Sequence, residues 1–129
     1  MRATAAERSL FGVAAAFNWI VALALAVPGD FAWRLVGLAR PTETLFVHLF
    51  AAMVAVFGLA YAWIALDPAG KRSLITIAAI GKLCVLPIAL VHYLGGSIPF
   101  SLVPAAAGDV VFAALFLGFV ARHRELEVR

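Results

Sequence analysis

The amino-acid sequence predicts an all-α integral membrane protein, a four-helix bundle with a short interfacial helix between the first two spans. Of its 129 residues, 65% are hydrophobic and only 13% are charged. Soluble domains contain about 45–50% apolar and about 25% charged residues, so this composition is typical of a membrane protein. The apolar residues also fall into four long stretches. The whole chain, residues 1–129, is therefore predicted to form a single transmembrane domain.

The four apolar stretches cover residues 10–28, 44–66, 74–94 and 104–121. Each is long enough to cross a hydrocarbon core of about 30 Å at about 1.5 Å per residue. Backbone inside a bilayer must satisfy its own hydrogen bonds, so each stretch is predicted to be a helix.

Residues at the boundaries agree with these helices. Thr42 is predicted to be the N-cap of the second span. The sequence Asp67-Pro68-Ala69-Gly70 predicts a tight turn before the third. Pro104 suits the first turn of the fourth.

The connector between the first two spans, residues 30–40, has apolar residues at helical spacing: Phe31, Leu35 and Leu38. Its Trp33 suits the headgroup zone of a membrane. These residues predict a short helix that lies on the outer membrane surface.

The basic residues outside the spans divide unequally between the two sides of the membrane. One side has Arg2, Arg8, Lys71, Arg72, Arg122, Arg124 and Arg129, and the other has Arg34 and Arg40. The positive-inside rule places the first side in the cytoplasm. We therefore expect a multi-pass protein of the cell inner membrane with both termini cytoplasmic. The net charge of +3 is then explained by topology and lipid contact, and no nucleic-acid partner is predicted.

The first apolar stretch has an alternative interpretation as a cleaved signal peptide. Arg2 and Arg8 would form its basic region, and Ala-Leu-Ala at 24–26 would precede its cleavage site. However, its apolar run of about 19 residues exceeds the usual 7–15 of a signal peptide and contains Asn18 and Trp19. These features favour a membrane-spanning helix.

Two charged residues lie inside the apolar stretches, where ionisable groups are costly and by default mark functional sites. Lys82 is predicted about 12 Å from the cytoplasmic edge and Asp109 about 18 Å from it. A lysine side chain reaches about 6 Å, so the two charges can meet near mid-membrane. Asn18 is predicted at the depth of Lys82. The sequence thus predicts a Lys–Asp pair with an Asn partner, which either closes the bundle or forms a proton- or ligand-binding site.

His48 and His92 are predicted at similar depths toward the outer face. Two histidines at one level of a helical bundle could ligate a haem or a metal. No third ligand and no spacing such as HxxxH accompanies them, so no cofactor and no metal are predicted. If they share the interior, a polar track would run from the outer interface to mid-bilayer through Asn18, His48, Lys82, His92 and Asp109. His123 is predicted to be a tail residue without a role.

The chain resembles the small four-helix bacterial membrane proteins of the DoxX-like type. The resemblance rests on the Asp67-Pro68 turn with Lys71-Arg72, on Gly81-Lys82, and on Gly108-Asp109 followed by Phe112 and Phe116, and it would cover most of the chain. It implies a compact bundle, in some members a subunit of a quinone-linked oxidoreductase or a partner in redox homeostasis. Members often carry a glutamate in a middle helix, where this chain has none.

The first functional hypothesis is therefore a non-enzymatic membrane subunit or a binding module for a lipid or quinone-like ligand. Its polar residues would recognise the headgroup, and Phe17, Phe112 and Phe116 would line the tail. Its partners would be membrane lipid, a lipophilic ligand, and a membrane protein or a second copy of the chain. The alternatives are a proton-coupled transporter that uses Lys82–Asp109, and a membrane-embedded isomerase or oxidoreductase that uses Asp109 or a histidine as acid or base.

Overall fold

The computed structural model describes residues 3–125, and its regular elements there are all helical. They are α1 (Ala5–Ala26), α2 (Phe31–Leu35), α3 (Leu45–Leu66), a 3-10 turn (Ala69–Lys71), α4 (Arg72–Leu94) and α5 (Leu102–Glu125). The helices α1, α3, α4 and α5 are long and apolar enough to cross a membrane. The predicted all-α fold with four membrane-spanning helices is confirmed, and the chain is a small multi-pass membrane protein.

The first helix begins five residues before the predicted span because its start is polar. Thr4 accepts a hydrogen bond from the backbone of Glu7 at 3.2 Å, and Glu7 accepts one from the backbone of Thr4 at 2.9 Å. This reciprocal capping box satisfies amide groups that the first turn would otherwise leave without partners. Hydropathy locates the apolar part of a helix and misses such a first turn.

The start of α3 and the end of α5 also differ from the prediction. The first backbone hydrogen bond of α3 runs from His48 to the carbonyl of Thr44 at 2.9 Å. Thr44 therefore precedes the helix, and the predicted N-cap at Thr42 is wrong. At the other end of the chain, α5 continues to Glu125, past the last apolar residue of the predicted span.

The chain divides into two compact units, of which the first is Thr4–Leu66 and the second begins at Asp67. In the first unit α1 packs along α3, and in the second unit α4 packs along α5. The buried residues of α1 recur at spacings of three and four, which is one face of a helix: Phe11, Ala14, Ala15, Asn18 and Ala22. Most of this face is alanine, and small side chains let two membrane helices approach closely.

The connector helix α2 is present and is shorter than the predicted surface helix. Gly37 has a φ of +77°, a left-handed conformation that glycine adopts without steric cost. The amide of Gly37 bonds to the carbonyl of Arg34, and the amide of Leu38 bonds to that of Trp33. This pair of hydrogen bonds is a Schellman motif, which ends a helix.

The predicted turn between the second and third spans is confirmed. The amide of Gly70 bonds to Oδ1 of Asp67 at 3.3 Å, and Nζ of Lys71 lies 3.8 Å from Oδ2 of the same carboxylate. Asp67 thus ties together the 3-10 turn that leads directly into α4.

Candidate functional site

The predicted contact between Lys82 and Asp109 is present. Lys82 lies at the middle of α4, about 15 Å from the start of that helix at about 1.5 Å per residue. Asp109 lies in the second turn of α5. Nζ of Lys82 donates a hydrogen bond to Oδ1 of Asp109 at 2.5 Å, and the two groups form an ion pair. The packing of α4 on α5 therefore brings together two charges that are 27 residues apart in the chain.

The two members of the pair differ in their exposure. The side chain of Lys82 is 7% exposed, and that of Asp109 is 17% exposed. Nζ of Lys82 also lies 5.1 Å from the centroid of the Phe112 ring, at a distance where the ring quadrupole attracts a cation. The ammonium group is thus enclosed by a carboxylate and an aromatic ring, and the carboxylate is the more accessible partner.

The second carboxylate oxygen of Asp109 is not fully buried. Within residues 3–125, the hydrogen bond of this side chain is made through Oδ1. No side-chain oxygen in that part of the chain is both fully buried and without a hydrogen-bond partner. Oδ2 of Asp109 therefore reaches the surface of the pair.

Glycine precedes each member of the pair, and both glycines adjoin open space. A β-carbon added to Gly81 or to Gly108 would meet no atom within 4 Å. Asp109 follows an Ala-Ala-Ala-Gly run, and its side chain stays partly exposed. The site is therefore a largely buried charge pair, and each of its members follows a glycine that adjoins open space.

The helix α4 contains a proline, Pro87, in its interior. Proline has no amide hydrogen, so the carbonyl of Leu83 does not receive the bond that position 87 would otherwise donate. Leu83 is the residue next to Lys82. A backbone acceptor therefore accompanies the charged pair on the same helix.

Asn18 was predicted to join this pair, and its hydrogen bond lies in the first unit instead. Its Nδ2 donates to the carbonyl of Val54 on α3 at 3.3 Å. The next residue, Trp19, donates from Nε1 to the carbonyl of Ala55 at 3.2 Å. The Val54 carbonyl points along α3 toward position 58, which is glycine and so adds no side chain of its own there. Asn18 thus holds α1 to α3, a common role for a polar residue in a membrane helix.

Next to this contact, α1 and α3 form an open groove of about 610 Å³. Its walls are mostly small and apolar: Trp19, Ala22, Leu23, Ala26, His48, Ala51, Ala52 and Ala55. His48, the only ionisable group in this lining, is exposed and lies in the first turn of α3.

His92 is exposed as well and lies in the last turn of α4. Both predicted histidines therefore lie near a helix end, where fewer side chains from a neighbouring helix can cover them. The predicted polar track through all five residues stays a prediction. Of its five members, Lys82 and Asp109 are in contact with each other.

His123, to which no role was assigned, is buried in the last turns of α5. Its ring stacks on Phe119 with a centroid distance of 4.1 Å, and its Nδ1 lies 3.1 Å from the carbonyl of that residue. Nη1 of Arg72, at the start of α4, donates to the carbonyl of His123 at 3.1 Å. The signal in the sequence is the spacing of four from Phe119, which continues the buried face of α5 beyond its apolar run.

Metal binding was assessed on the residues that the structure describes. Among them, no group of three or more His, Cys, Asp or Glu side chains is arranged to hold a metal ion. Cys84 is exposed on α4.

Comparisons with protein-family models, with curated proteins and with solved structures find no match to this chain. The resemblance to DoxX-like proteins therefore stays a prediction. The class that the fold itself defines is a small multi-pass membrane protein with a charged pair between two of its helices.

Proposed function

We propose that this protein is a non-enzymatic membrane subunit or binding protein, and that its Lys82–Asp109 pair recognises the polar headgroup of a lipid or quinone-like molecule. The observation that carries the proposal is the incomplete enclosure of the pair. The side chain of Asp109 is 17% exposed, and Gly81 and Gly108 adjoin open space.

A charged pair that only joins two helices is expected to be enclosed, because an ion pair in a medium of low dielectric loses stability wherever a polar atom lacks a partner. Here the ammonium group of Lys82 is enclosed and one oxygen of Asp109 is not. This asymmetry supports a binding role in addition to a structural one. Ionisable residues inside membrane helices commonly have such roles.

The surroundings of the pair favour a ligand with an apolar tail. Several exposed residues of α4 and α5 within six positions of the pair are large and hydrophobic: Ile80, Leu83, Val111 and Leu115. A ligand that reaches Asp109 along these helices must cross an apolar surface. A molecule dissolved in the bilayer, with a small polar headgroup, meets that requirement. The predicted location in the inner membrane, with both termini in the cytoplasm, belongs to the same proposal.

The proposal is tested by the molecules that purify with the protein. We expect native mass spectrometry, after extraction in a mild detergent, to detect a bound lipophilic molecule. The molecule should be lost from the double variant Lys82→Met/Asp109→Asn, which removes both charges together. It should be retained by Cys84→Ala, a control on the exposed surface of the same helix. Equal retention by a folded double variant would refute the role of the pair, and so would the absence of any bound molecule from the wild-type protein.

The accessible oxygen of Asp109 also supports a second candidate, a proton-coupled transporter in which this carboxylate exchanges a proton. Such a protein, reconstituted in liposomes, should acidify the lumen under an imposed pH gradient only when a substrate is present. The same double variant should abolish that flux. Binding without flux would favour the first proposal.

A further inference from the structure

We propose that the ligand of this site is a hydrogen-bond donor, namely a neutral hydroxyl group carried on a long apolar tail. This inference rests on the proposed binding function of the Lys82–Asp109 pair and names the class of molecule that the pair selects. Lipophilic alcohols and phenols belong to that class. Among the lipid and quinone-like molecules of the proposed function, it excludes those that offer only acceptor oxygens, such as ethers, esters and oxidised quinones.

The ammonium group of Lys82 already has two partners. Nζ of Lys82 bonds to Asp109 and lies over the ring of Phe112, and the lysine side chain is 7% exposed. A ligand that offered only an acceptor oxygen would have to displace one of these contacts. The lysine is therefore not the group that meets the ligand.

The accessible group of the pair, the carboxylate of Asp109, can only accept hydrogen bonds. An ionised carboxylate has no hydrogen to donate, and Oδ2 of Asp109 is the oxygen that reaches the surface. The lone pairs of a ligand carbonyl or ether would face those of Oδ2, and neither oxygen would gain a hydrogen bond. A ligand hydroxyl would supply the missing donor, and a hydrogen bond to a charged acceptor is stronger than one between neutral groups.

The backbone next to Lys82 also has a hydrogen-bond acceptor. Since Pro87 has no amide hydrogen, the carbonyl of Leu83 is a further acceptor on α4. Like Oδ2 of Asp109, this carbonyl can bind a hydrogen-bond donor and has no hydrogen to donate. Both of these atoms are acceptors, one on α5 and one on α4.

The neutral overall charge of the pair limits the charge of the ligand. Lys82 and Asp109 neutralise each other, so an ammonium ligand would bring an uncompensated charge into a region of low dielectric. A hydroxyl group adds a hydrogen bond without adding charge. The site therefore selects a neutral donor.

The test uses probes that differ only in the donor. Tritium-labelled 1-hexadecanol and its methyl ether form one pair, and 4-hexadecylphenol and its methyl ether form the other. Equilibrium binding would be measured on the full chain in lipid nanodiscs, with empty nanodiscs to correct for partition into lipid. We expect at least one hydroxyl compound to bind about tenfold or more tightly than its ether. The two pairs distinguish an aliphatic alcohol from a phenol.

The variant arm tests whether Asp109 is the acceptor. In Lys82→Met/Asp109→Leu the preference for the hydroxyl compound should disappear, and in Cys84→Ala it should persist. Thermal melting of each variant would verify that it is folded. If Lys82→Met/Asp109→Leu does not fold, Lys82→Leu/Asp109→Leu would be used in its place. Equal binding of the two members in both pairs, or tighter binding of the ethers, would overturn the inference and leave the proposed function standing. Binding of none of the four probes by the wild-type protein would also overturn the inference, and the proposed function would then depend on whether another lipophilic molecule purifies with the protein.

Discussion

The indole ring of Trp19 lies against Gly58, in the space that a β-carbon at position 58 would occupy. The ring nitrogen donates to the carbonyl of Ala55 at 3.2 Å. An indole inside the apolar part of a membrane needs such a partner, because its N–H cannot bond to water there. The absence of a side chain at position 58 thus lets one residue of α1 be both packed and hydrogen-bonded against α3.

The variant Gly58→Ala is expected to destabilise the protein. The new methyl group would displace the ring of Trp19 and break its bond to Ala55, at a cost of about 1–3 kcal/mol for overpacking. Unfolding in a titration of SDS against a mild detergent would measure the change. Gly12→Ala is the matched control, because a β-carbon at position 12 of α1 meets no atom within 4 Å. If both variants unfold at the same SDS fraction, the contact with Trp19 contributes no stability.

Single variants of the charged pair should lose more stability than the double variant. Lys82→Met and Asp109→Asn each leave one charge in a region of low dielectric, which typically costs about 3–5 kcal/mol. The double variant has no charge left to bury, so it should recover much of that loss. The midpoint of thermal unfolding in detergent provides the comparison. Single variants as stable as the wild type would show that the ion pair is energetically unimportant.

The capping box at the start of α1 predicts a local effect. Thr4→Ala removes the side chain that accepts from the backbone of Glu7, and loss of such a cap costs about 1 kcal/mol. Hydrogen exchange should accelerate at the amides of the first turn and stay unchanged near Asn18. Ser9→Ala, at an exposed position of the same helix, should leave the first turn as protected as it is in the wild type.

The orientation in the membrane is predicted from the basic residues alone. A reporter fused to the C-terminus and one inserted in the loop at 95–101 should report opposite sides, with the C-terminal fusion in the cytoplasm. Substitution of Lys71 and Arg72 by Gln is expected to weaken this preference, since both lie at the predicted cytoplasmic end of α4. Two reporters on the same side would contradict four spans.

The helices and the charged pair could be predicted because each depends on a large energetic cost. The free energy of exposing about twenty apolar residues to water, or one unpaired lysine to lipid, is so unfavourable that few other arrangements are possible. Lys82 and Asp109 are the charged residues well inside the apolar stretches, so each was the natural partner of the other.

The helix pairs and the role of Asn18 could not be predicted in the same way. All faces of these helices are apolar, so periodicity does not reveal which face packs or which helix is the neighbour. The choice of α1 with α3 depends on shape, such as the fit of Trp19 at Gly58. His123 was missed for another reason, because its burial depends on a helical turn outside the apolar run.

The separation of Lys82 from Asp109 along the chain has a consequence for biosynthesis. The ribosome completes Lys82 before it has made the 27 residues that lead to its partner. At about 5–20 residues per second, this interval is about 1–5 s. During that time α4 carries a charge that its own sequence does not neutralise, and release into lipid would be costly. We therefore expect α4 to remain in the insertion machinery until α5 has been synthesised, so that the two helices enter the bilayer as one hairpin.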